Sequence, residues 1–421
     1  MSKAIVQGTI QIPIAYLTDR MKKAYTHIKK GYGGLFEVYY GYSFDKEFAY
    51  ISRNLTKFRK HCDLPFEYKL VDSFDIEGEL REGFSLRPHQ ASLADSILTE
   101  LESNCNIFFQ AEVRFGKTFT TTYIISKLKK RTLVLVDKTL LVEQFVSDMK
   151  EYSTFTPTIL NKLDDISDVT ITTFQFLHAN PQLLDEIKDK FPIVVIDEAH
   201  CGAASTYMNI IEKIPSRYRI SMSATPTRSD GKSQVLYDML GDITLRGVNK
   251  NALVADLRIF ELDKAYYPSS YNPKASLANY LTSPEIALQI YKLIAEYRGK
   301  TIMIVSDLKK VQTFYSSNVL NSDTPKARRT ELMVGINSGD TKIFSGYGVM
   351  LKGVTLPKLE VIIHLFAATT QENVQQLHGR LLTPPNGEDI KSPIFVEVQT
   401  RNGSFKESQR EKWLKELSSK T

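Results

Sequence analysis

Cysteine is scarce in this chain: three residues in 421, Cys62, Cys105 and Cys201, far apart and without metal-ligand spacing. That excludes a disulfide framework and a cysteine-built metal centre, and reads as reduced, partly buried thiols in a cytosolic protein. Long apolar runs are missing as well. No stretch approaches the roughly 20 residues that a membrane helix needs, so no membrane partner is expected. The opening residues, MSKAIVQGTIQIPIAY, lack the charged-then-apolar layout of a secretion signal. Internal repeats and low-complexity tracts are absent too, which argues against a solenoid or a long disordered linker.

What is present is an ordinary soluble composition, 42% hydrophobic and 24% charged, on a chain too long for one core. Two large domains and a small one are the natural division. The net charge of +6 is unevenly placed. Residues 1–60 hold eight Lys and three Arg against two Asp and two Glu, a local charge of +7, so the other 361 residues sum to about −1. A basic segment on a nearly neutral body points to a module that touches a polyanion. Eleven Phe or Tyr are interleaved there, including Tyr39-Tyr40-Gly41-Tyr42. Such rings can stack on unpaired bases while Lys and Arg neutralise phosphates. They can equally form the core of a small β-containing domain, which accounts for most of them.

From about residue 105, short β-rich apolar runs alternate with helical patterns, the mark of parallel α/β domains. Strands are expected at Asn106–Gln110, Thr132–Val136, Val169–Thr173, Ile193–Asp197 and Arg219–Ser223. A second set is expected at Leu257–Leu262, Thr301–Ser306, Lys342–Phe344, Val361–Leu365 and Ile394–Val398, with helices such as Ser283–Tyr297 and Glu372–Leu382 between. The fold class is α/β: two tandem doubly wound parallel-sheet domains, at 81–250 and 251–421, joined near Gly247–Asp256. Residues 1–80 read as a small α+β domain. It holds a strand-like Ala4–Ile14, a helix over Asp19–Lys30, an aromatic Leu35–Tyr50, a basic helix over Asn54–Cys62 and an acidic connector, Asp72–Glu82. Glu407–Lys420 reads as a charged closing helix.

The first chemical signal is Asn106–Thr118, NIFFQAEVRFGKT, an apolar strand running into Gly116-Lys117-Thr118. The layout is that of a phosphate-binding loop over Ala111, Glu112, Val113, Arg114, Phe115, Gly116, Lys117 and Thr118, except that Ala111 stands where the first glycine is usual. Backbone N–H groups of the loop and the following helix would cradle phosphates. Lys117 would reach the β- and γ-phosphates, and the Thr118 hydroxyl would ligate Mg²⁺. Phe119–Ile125 is β-branched, so tertiary packing must hold it helical. Alone, the loop could be a surface turn. About eighty residues later, however, the buried-strand run Ile193–Ile196 closes on Asp197-Glu198-Ala199-His200, at the strand end where open α/β sheets place ligands. Two adjacent carboxylates there are costly without a cation. Asp197 would hold Mg²⁺, directly or through water, and Glu198 would orient and deprotonate an attacking water. ATP and Mg²⁺ are the cofactors this implies, and no other metal is expected.

With these motifs the chain resembles the superfamily-two helicases and translocases, DEAH-type members in particular, from about Phe84 to Val398. Leu86-Arg87-Pro88-His89-Gln90 looks like the adenine-reading segment, with Arg87 and Gln90 among the nucleotide contacts. Leu133–Phe145, LVLVDKTLLVEQF, and Thr172-Thr173-Phe174-Gln175 resemble DNA-contacting motifs, which assigns Lys138, Thr139, Thr173 and Gln175 to nucleic acid. Ser223-Ala224-Thr225 matches the motif that couples hydrolysis to movement, and His200 shares that role. Lys352-Gly353-Val354-Thr355-Leu356-Pro357 resembles the Gly-x-Asp-x-Pro segment. Gln376-Leu377-His378-Gly379-Arg380 resembles the Gln-x-x-Gly-Arg motif that delivers an arginine finger. The resemblance thus adds Gly353 and Gln376 to the nucleotide contacts, and sets Arg380 beside Lys117 and Glu198 as catalytic. Singly, each weaker motif is a strand end or a solvated turn; six in the correct order are not chance. Two positions depart from the pattern: Thr383 stands where a second arginine is usual, and Thr355 replaces an acidic or amide residue. Both bear on nucleotide sensing.

The resemblance implies two RecA-like domains holding ATP between them, with Arg380 supplied by the second and closure linked to the γ-phosphate. The small N-terminal domain, compact size and Arg-Pro-His-Gln segment are most similar to phage UvsW-type recombination helicases, and more distantly to RecG-like motors. On that likeness the substrate is branched DNA (forks, Holliday junctions, displacement loops), in recombination, repair or replication, in the host cytoplasm if the chain is phage-encoded. The N-terminal domain would be an added DNA contact. Three alternatives stay open: a duplex translocase that does not separate strands, an RNA helicase, and a nucleotide-gated nucleic-acid scaffold. RNA is the less expected polymer, and the complete hydrolysis set argues against a scaffold.

Overall fold

The computed structural model describes residues 2–30, 36–112, 115–199, 205–224, 233–248, 255–347, 356–366, 371–382, 392–402 and 405–418. The chain divides into two compact units, Met1–Asn249 and Lys250–Thr421.

The first unit opens with Ala4–Val6 (β1), Thr9–Pro13 (β2), Thr26–Lys30 (β3), Phe36–Tyr40 (β4), Tyr42–Phe44 (β5), Phe48–Ser52 (β6) and Phe66–Tyr68 (β7). Among the described residues these make a five-stranded sheet, β5-β6-β2-β1-β7, and a separate antiparallel ribbon of β3 and β4. Two expectations are corrected here. Ala4–Ile14 is not one strand but a hairpin that turns at Gln7-Gly8 and pairs Ile5 with Gln11. Gly8 sits where a Cβ would lie 1.7 Å from the Glu212 carbonyl oxygen, so no larger residue fits that turn. The helix expected over Asp19–Lys30 stops at Ala24 (α1, Asp19–Ala24), and the residues after Tyr25 are strand β3. Thr26 and Ile28 are β-branched, and pairing with β4 outweighs a weak helical pattern. Leu55–Arg59 (α2) is capped by Asn54, whose side chain accepts from the Lys57 N–H. Ile10, Ile12, Tyr25, Ile51 and Phe58 form this sheet's core.

A larger sheet follows: Asn106–Ala111 (β8), Thr132–Val136 (β9), Pro157–Ile159 (β10), Val169–Thr173 (β11), Ile193–Ile196 (β12), Tyr218–Ser223 (β13) and Ile243–Gly247 (β14). All pairings are parallel, in the order β10-β11-β9-β12-β13-β8-β14. Its helices are Pro88–Ser103 (α3), Lys117–Leu128 (α4), Thr139–Tyr152 (α5), Phe174–Ala179 (α6), Pro181–Ile187 (α7), Ser205–Lys213 (α8) and Ser233–Leu240 (α9). Alternate strand residues serve opposite faces. Phe109, Val134, Ile171, Val195 and Met222 pack with α3, α4 and α5, whereas Phe108, Leu133, Val194 and Ile196 pack with α6 to α9. Both faces are covered, which is why the strands read as unbroken apolar runs. Each such side chain stabilises the fold by roughly 1.5–3 kcal/mol. β10 and β14 escaped the sequence reading because both are edge strands, one short and led by proline, the other irregular between Ile243 and Leu245.

A buried polar seam ties the small sheet to the large one. Arg53, fully buried, donates through Nε to Asn106 Oδ1 (2.8 Å) and through Nη1 to the carbonyls of Gln7 (3.0 Å) and Ser216 (2.7 Å). Arg219, also fully buried, donates to the carbonyls of Gly8 (3.2 Å), Ile211 (2.9 Å) and Met239 (3.2 Å). Burial, then the neighbouring Arg53, depresses the Arg219 pKa. Asp238 of α9 accepts from Lys57 and lies 2.6 Å from His27 Nε2. The acidic connector is also pinned, with Asp75 and Leu80 bridged to Lys130 and Ser153, and Val71 just before it bridged to Ser216.

The second unit contains Asp256–Leu262 (β15), Ile302–Val305 (β16), Val319–Leu320 (β17), Ile343–Gly346 (β18), Val361–His364 (β19) and Ile394–Thr400 (β20), in the parallel order β15-β20-β19-β16-β18-β17. Its helices are Pro273–Leu281 (α10), Pro284–Glu296 (α11), Lys309–Tyr315 (α12), Lys326–Ser338 (α13), Gln371–Leu381 (α14) and Phe405–Ser418 (α15). Ile302, Ile304, Val361, Ile363, Val396 and Val398 line the face that packs on α10, α11 and α12. The architecture is α/β: two RecA-like doubly wound parallel-sheet domains and a small N-terminal α+β domain. Among the described residues no helix is long and apolar enough to cross a membrane.

The seam makes a stability prediction. Arg53→Ala removes the donor for Asn106 and two buried carbonyls, and should cost about 3 kcal/mol or more in urea unfolding. A loss under about 1 kcal/mol would mean that those acceptors find other partners.

Candidate active site

Strands β8, β13 and β12 are consecutive neighbours, so their carboxyl ends meet on one edge of the large sheet. Ala111 is the last residue of β8, buried and paired with Gly247 of β14. It is a strand position, where the conformational freedom of the usual glycine is not required. Gly116 is different. Its φ is +89°, and a Cβ there would lie 2.3 Å from Gln90 Nε2. Helix α4 starts directly after it, at Lys117. The weak helix formers behind are held by packing, as their composition requires: Thr120, Thr121 and Thr122 are all buried. Thr120 Oγ1 donates to the Gly116 carbonyl (3.1 Å), Thr122 Oγ1 to the Thr118 carbonyl (2.9 Å) and Thr121 Oγ1 to Met222 Sδ (3.4 Å).

Lys117 Nζ lies 3.2 Å from Glu198 Oε1, and each side chain is only 16% exposed. Glu198 has φ +49°, a left-handed backbone at the carboxyl end of β12. For a non-glycine residue this costs of order 1–2 kcal/mol, and such strain collects where a side chain's direction matters. Asp197 is buried beside it, with its N–H donating to the Leu135 carbonyl at 3.0 Å. Ser223, fully buried, ends β13, and the following Ala224 carbonyl accepts from Gln110 Nε2 at 3.1 Å.

These residues suit a magnesium-bound nucleoside triphosphate. A glycine-led helix N-terminus bearing Lys117 and Thr118 lies at the same strand ends as the carboxylates of Asp197 and Glu198. Thr118 and Asp197 are the hard oxygen donors that Mg²⁺ takes. Among the described residues no group of three His, Cys, Asp or Glu forms a metal cage, so the donor set would need phosphate oxygens to complete it.

Gln90 is buried, with Oε1 accepting from the Arg87 N–H (2.9 Å) and Nε2 donating to the Phe115 carbonyl (2.9 Å). It therefore links the start of α3 to the loop. Arg87 is the exposed N-cap residue of that helix. Glu112 follows β8, and its N–H donates to the Gly247 carbonyl at 3.2 Å. Lys138 and Thr139 are exposed at the start of α5, after β9. Thr173, buried, caps α6 by accepting from the Phe176 N–H at 3.1 Å. Gln175 is exposed and donates to the Tyr207 hydroxyl at 2.6 Å. In the second unit, Gln376 is buried on α14 and Arg380 is half-buried. Val113, Arg114, His200, Thr225 and Gly353, with the departures Thr355 and Thr383, lie outside the described residues.

Sequence reasoning missed Gln110 and Tyr207. Gln110 is a lone polar residue near the end of an apolar strand, a signal that was available. Tyr207 stacks on Phe174 at 4.4 Å between ring centroids, a contact across α6 and α8 that carries no local signature.

Residues 83–228 match the family described as Type III restriction enzyme, res subunit. The chain is 25% identical over 77% of its length to a putative ATP-dependent RNA helicase of Acanthamoeba polyphaga mimivirus, covering 66% of that protein. It is 20% identical over 84% of its length to a DNA 3′-5′ translocase, XPB2, of Sulfurisphaera tokodaii, covering 90% of it. A probable helicase, D10, of Escherichia phage T5 is 22% identical over 73% of the chain, which covers 70% of that protein. These relatives indicate an ATP-dependent helicase of superfamily two. That likeness implies use of ATP, and the helicases it points to bind nucleic acids.

Two substitutions separate the roles of the loop residues. Gly116→Ala should weaken binding of a fluorescent ATP analogue by about tenfold or more, whereas Ala111→Gly should change it less than about twofold. Equal effects would contradict the strand assignment of Ala111. A second measurement addresses His378 on α14, whose pKa burial presses down to about 4. Its imidazole should stay neutral through pH 5 in an NMR titration; a midpoint near the ordinary imidazole value of 6.5 would mean that it is solvated.

Proposed function

We propose that this chain is a DEAH-type, UvsW-like motor that couples ATP hydrolysis to the remodelling of branched DNA. The observation that carries the hydrolytic part is the Lys117–Glu198 pair at 3.2 Å, on the sheet edge shared by Asp197 and Ser223. In this reading Lys117 and the loop amides, those of Val113 and Arg114 included, hold the β- and γ-phosphates. Thr118 and Asp197 would hold Mg²⁺, which would supply positive charge against the phosphate oxygens. Glu198 takes a proton from the attacking water, released from Lys117 once phosphate supplies the counter-charge. Arg380 stabilises charge that develops only as the γ-phosphoryl transfers. Arg87, Gln90, Gly353 and Gln376 complete the nucleotide contacts. Ser223, Ala224, Thr225 and His200 relay hydrolysis to the nucleic-acid contacts Lys138, Thr139, Thr173 and Gln175. Residues 1–80, with their excess of Lys and Arg, serve as an accessory DNA-binding domain.

A second reading, duplex translocation without strand separation, draws support from the likeness to a DNA 3′-5′ translocase over 84% of the chain. The two diverge in one assay. ATPase and strand-displacement rates are compared on single-stranded DNA, blunt duplex, forks, four-way junctions and RNA duplexes. Branch remodelling predicts the highest rates on forks and junctions; equal stimulation by blunt duplex without displacement selects translocation. Lys117→Ala, Glu198→Gln and Arg380→Ala should each lower stimulated ATPase by roughly a hundredfold or more. Normal turnover by Glu198→Gln would refute the assigned base.

A further inference from the structure

One face of the second sheet packs on α10 to α12, and the opposite strand positions carry a buried ionic group that the hydrolysis scheme does not use. His364 of β19 and Glu397 of β20 are direct neighbours in register. His364 Nδ1 lies 2.7 Å from Glu397 Oε2, and Arg410 Nε of α15 donates to Glu397 Oε1 at 2.8 Å. The three side chains are 1%, 0% and 6% exposed. Burial by itself would raise the Glu397 pKa; His364 and Arg410 reverse this and hold it below the usual carboxylate range. The group is too deep to meet nucleotide or nucleic acid.

What it does meet is the packing around α14. Phe395 precedes Glu397 on the same strand face, and its ring lies 6.1 Å from that of His364 and 6.4 Å from that of His378 on α14. Helix α14 packs on both α15 and β20. His364 closes β19 seven positions before α14 begins, and Phe366 between them has φ +51°. The start of α15 is tied separately: the Thr400 N–H and hydroxyl donate to Glu407 at 2.9 and 3.1 Å. Apolar contacts alone would let one helix slide on another. A buried carboxylate with two partners cannot shift without leaving a charge unpaired.

We propose that Glu397, held by His364 and Arg410, is a positioning residue: it fixes α15 and the end of β19, and so sets the register of α14 that presents Arg380. This rests on the assignment of Arg380 to ATP hydrolysis. The test is a double-mutant cycle on the full chain, with DNA-stimulated kcat, KM for ATP and affinity for a fluorescent nucleotide as readouts. Glu397→Gln should lower kcat roughly tenfold to a hundredfold, with KM and nucleotide affinity within about twofold. In an Arg380→Ala background the same change should lower kcat no further. Additive losses, or an unaltered kcat in Glu397→Gln alone, would overturn the positioning role. If Arg380→Ala alone leaves kcat intact, the Arg380 assignment fails instead. Should Glu397→Gln not fold, Arg410→Lys keeps the charge but loses the Nε geometry. It should show the same kcat loss without additivity, and normal kcat in that variant would equally reject the proposal.

Discussion

The first unit is organised around one ion pair. Lys117 begins a helix after β8 and Glu198 follows β12, and they meet at 3.2 Å although β13 lies between the two strands. That requires three parallel strands in fixed register, and the register in turn needs both sheet faces dry. Gly116 takes φ +89° with no Cβ to oppose it, so the backbone cost of the pair lies at Glu198, at φ +49°. The two faces of apolar contacts supply the stability that tolerates that strain.

The same sheet is braced from its opposite, amino-terminal side by the small N-terminal sheet. Arg53 and Arg219 donate mainly to backbone carbonyls, which are fixed by the fold itself and cannot rotate away. The seam meets Asn106 at the start of β8 and Met239 at the end of α9. It therefore joins the basic N-terminal segment to the strand that leads into the Gly116-Lys117-Thr118 turn. A charged segment attached in this way is part of the domain's packing and not a tethered appendage.

The second unit uses buried charge in a comparable manner. The Glu397 carboxylate gathers two strands and the last helix, where the N-terminal seam gathers strand starts and helix ends. In both places the polar group is costly to bury and strict about geometry, so it specifies one arrangement among several that apolar contacts would allow.

Much of this was legible from residues alone because it is local. Gly116-Lys117-Thr118 after an apolar strand, and Asp197-Glu198 after Ile193–Ile196, are each contiguous, and strands covered on both faces advertise themselves as Val/Ile/Leu runs. The edge strands β10, β14 and β17 did not, because they are short or irregular as well as half outside the sheet, whereas the seven-residue edge strand β15 was legible. The helix expected through Lys30 failed for a related reason: β3 exists only because β4 pairs with it. The polar seam, the Gln175–Tyr207 bond and the Glu397 group join residues far apart in sequence, 160 or more in the case of Arg53 and Ser216. Sequence by itself marked the candidate residues for the chemistry, through patterns set within one strand and its following turn. Tertiary structure alone decided which buried charges face one another, since that depends on strand order and on which carbonyls folding leaves in need of a donor.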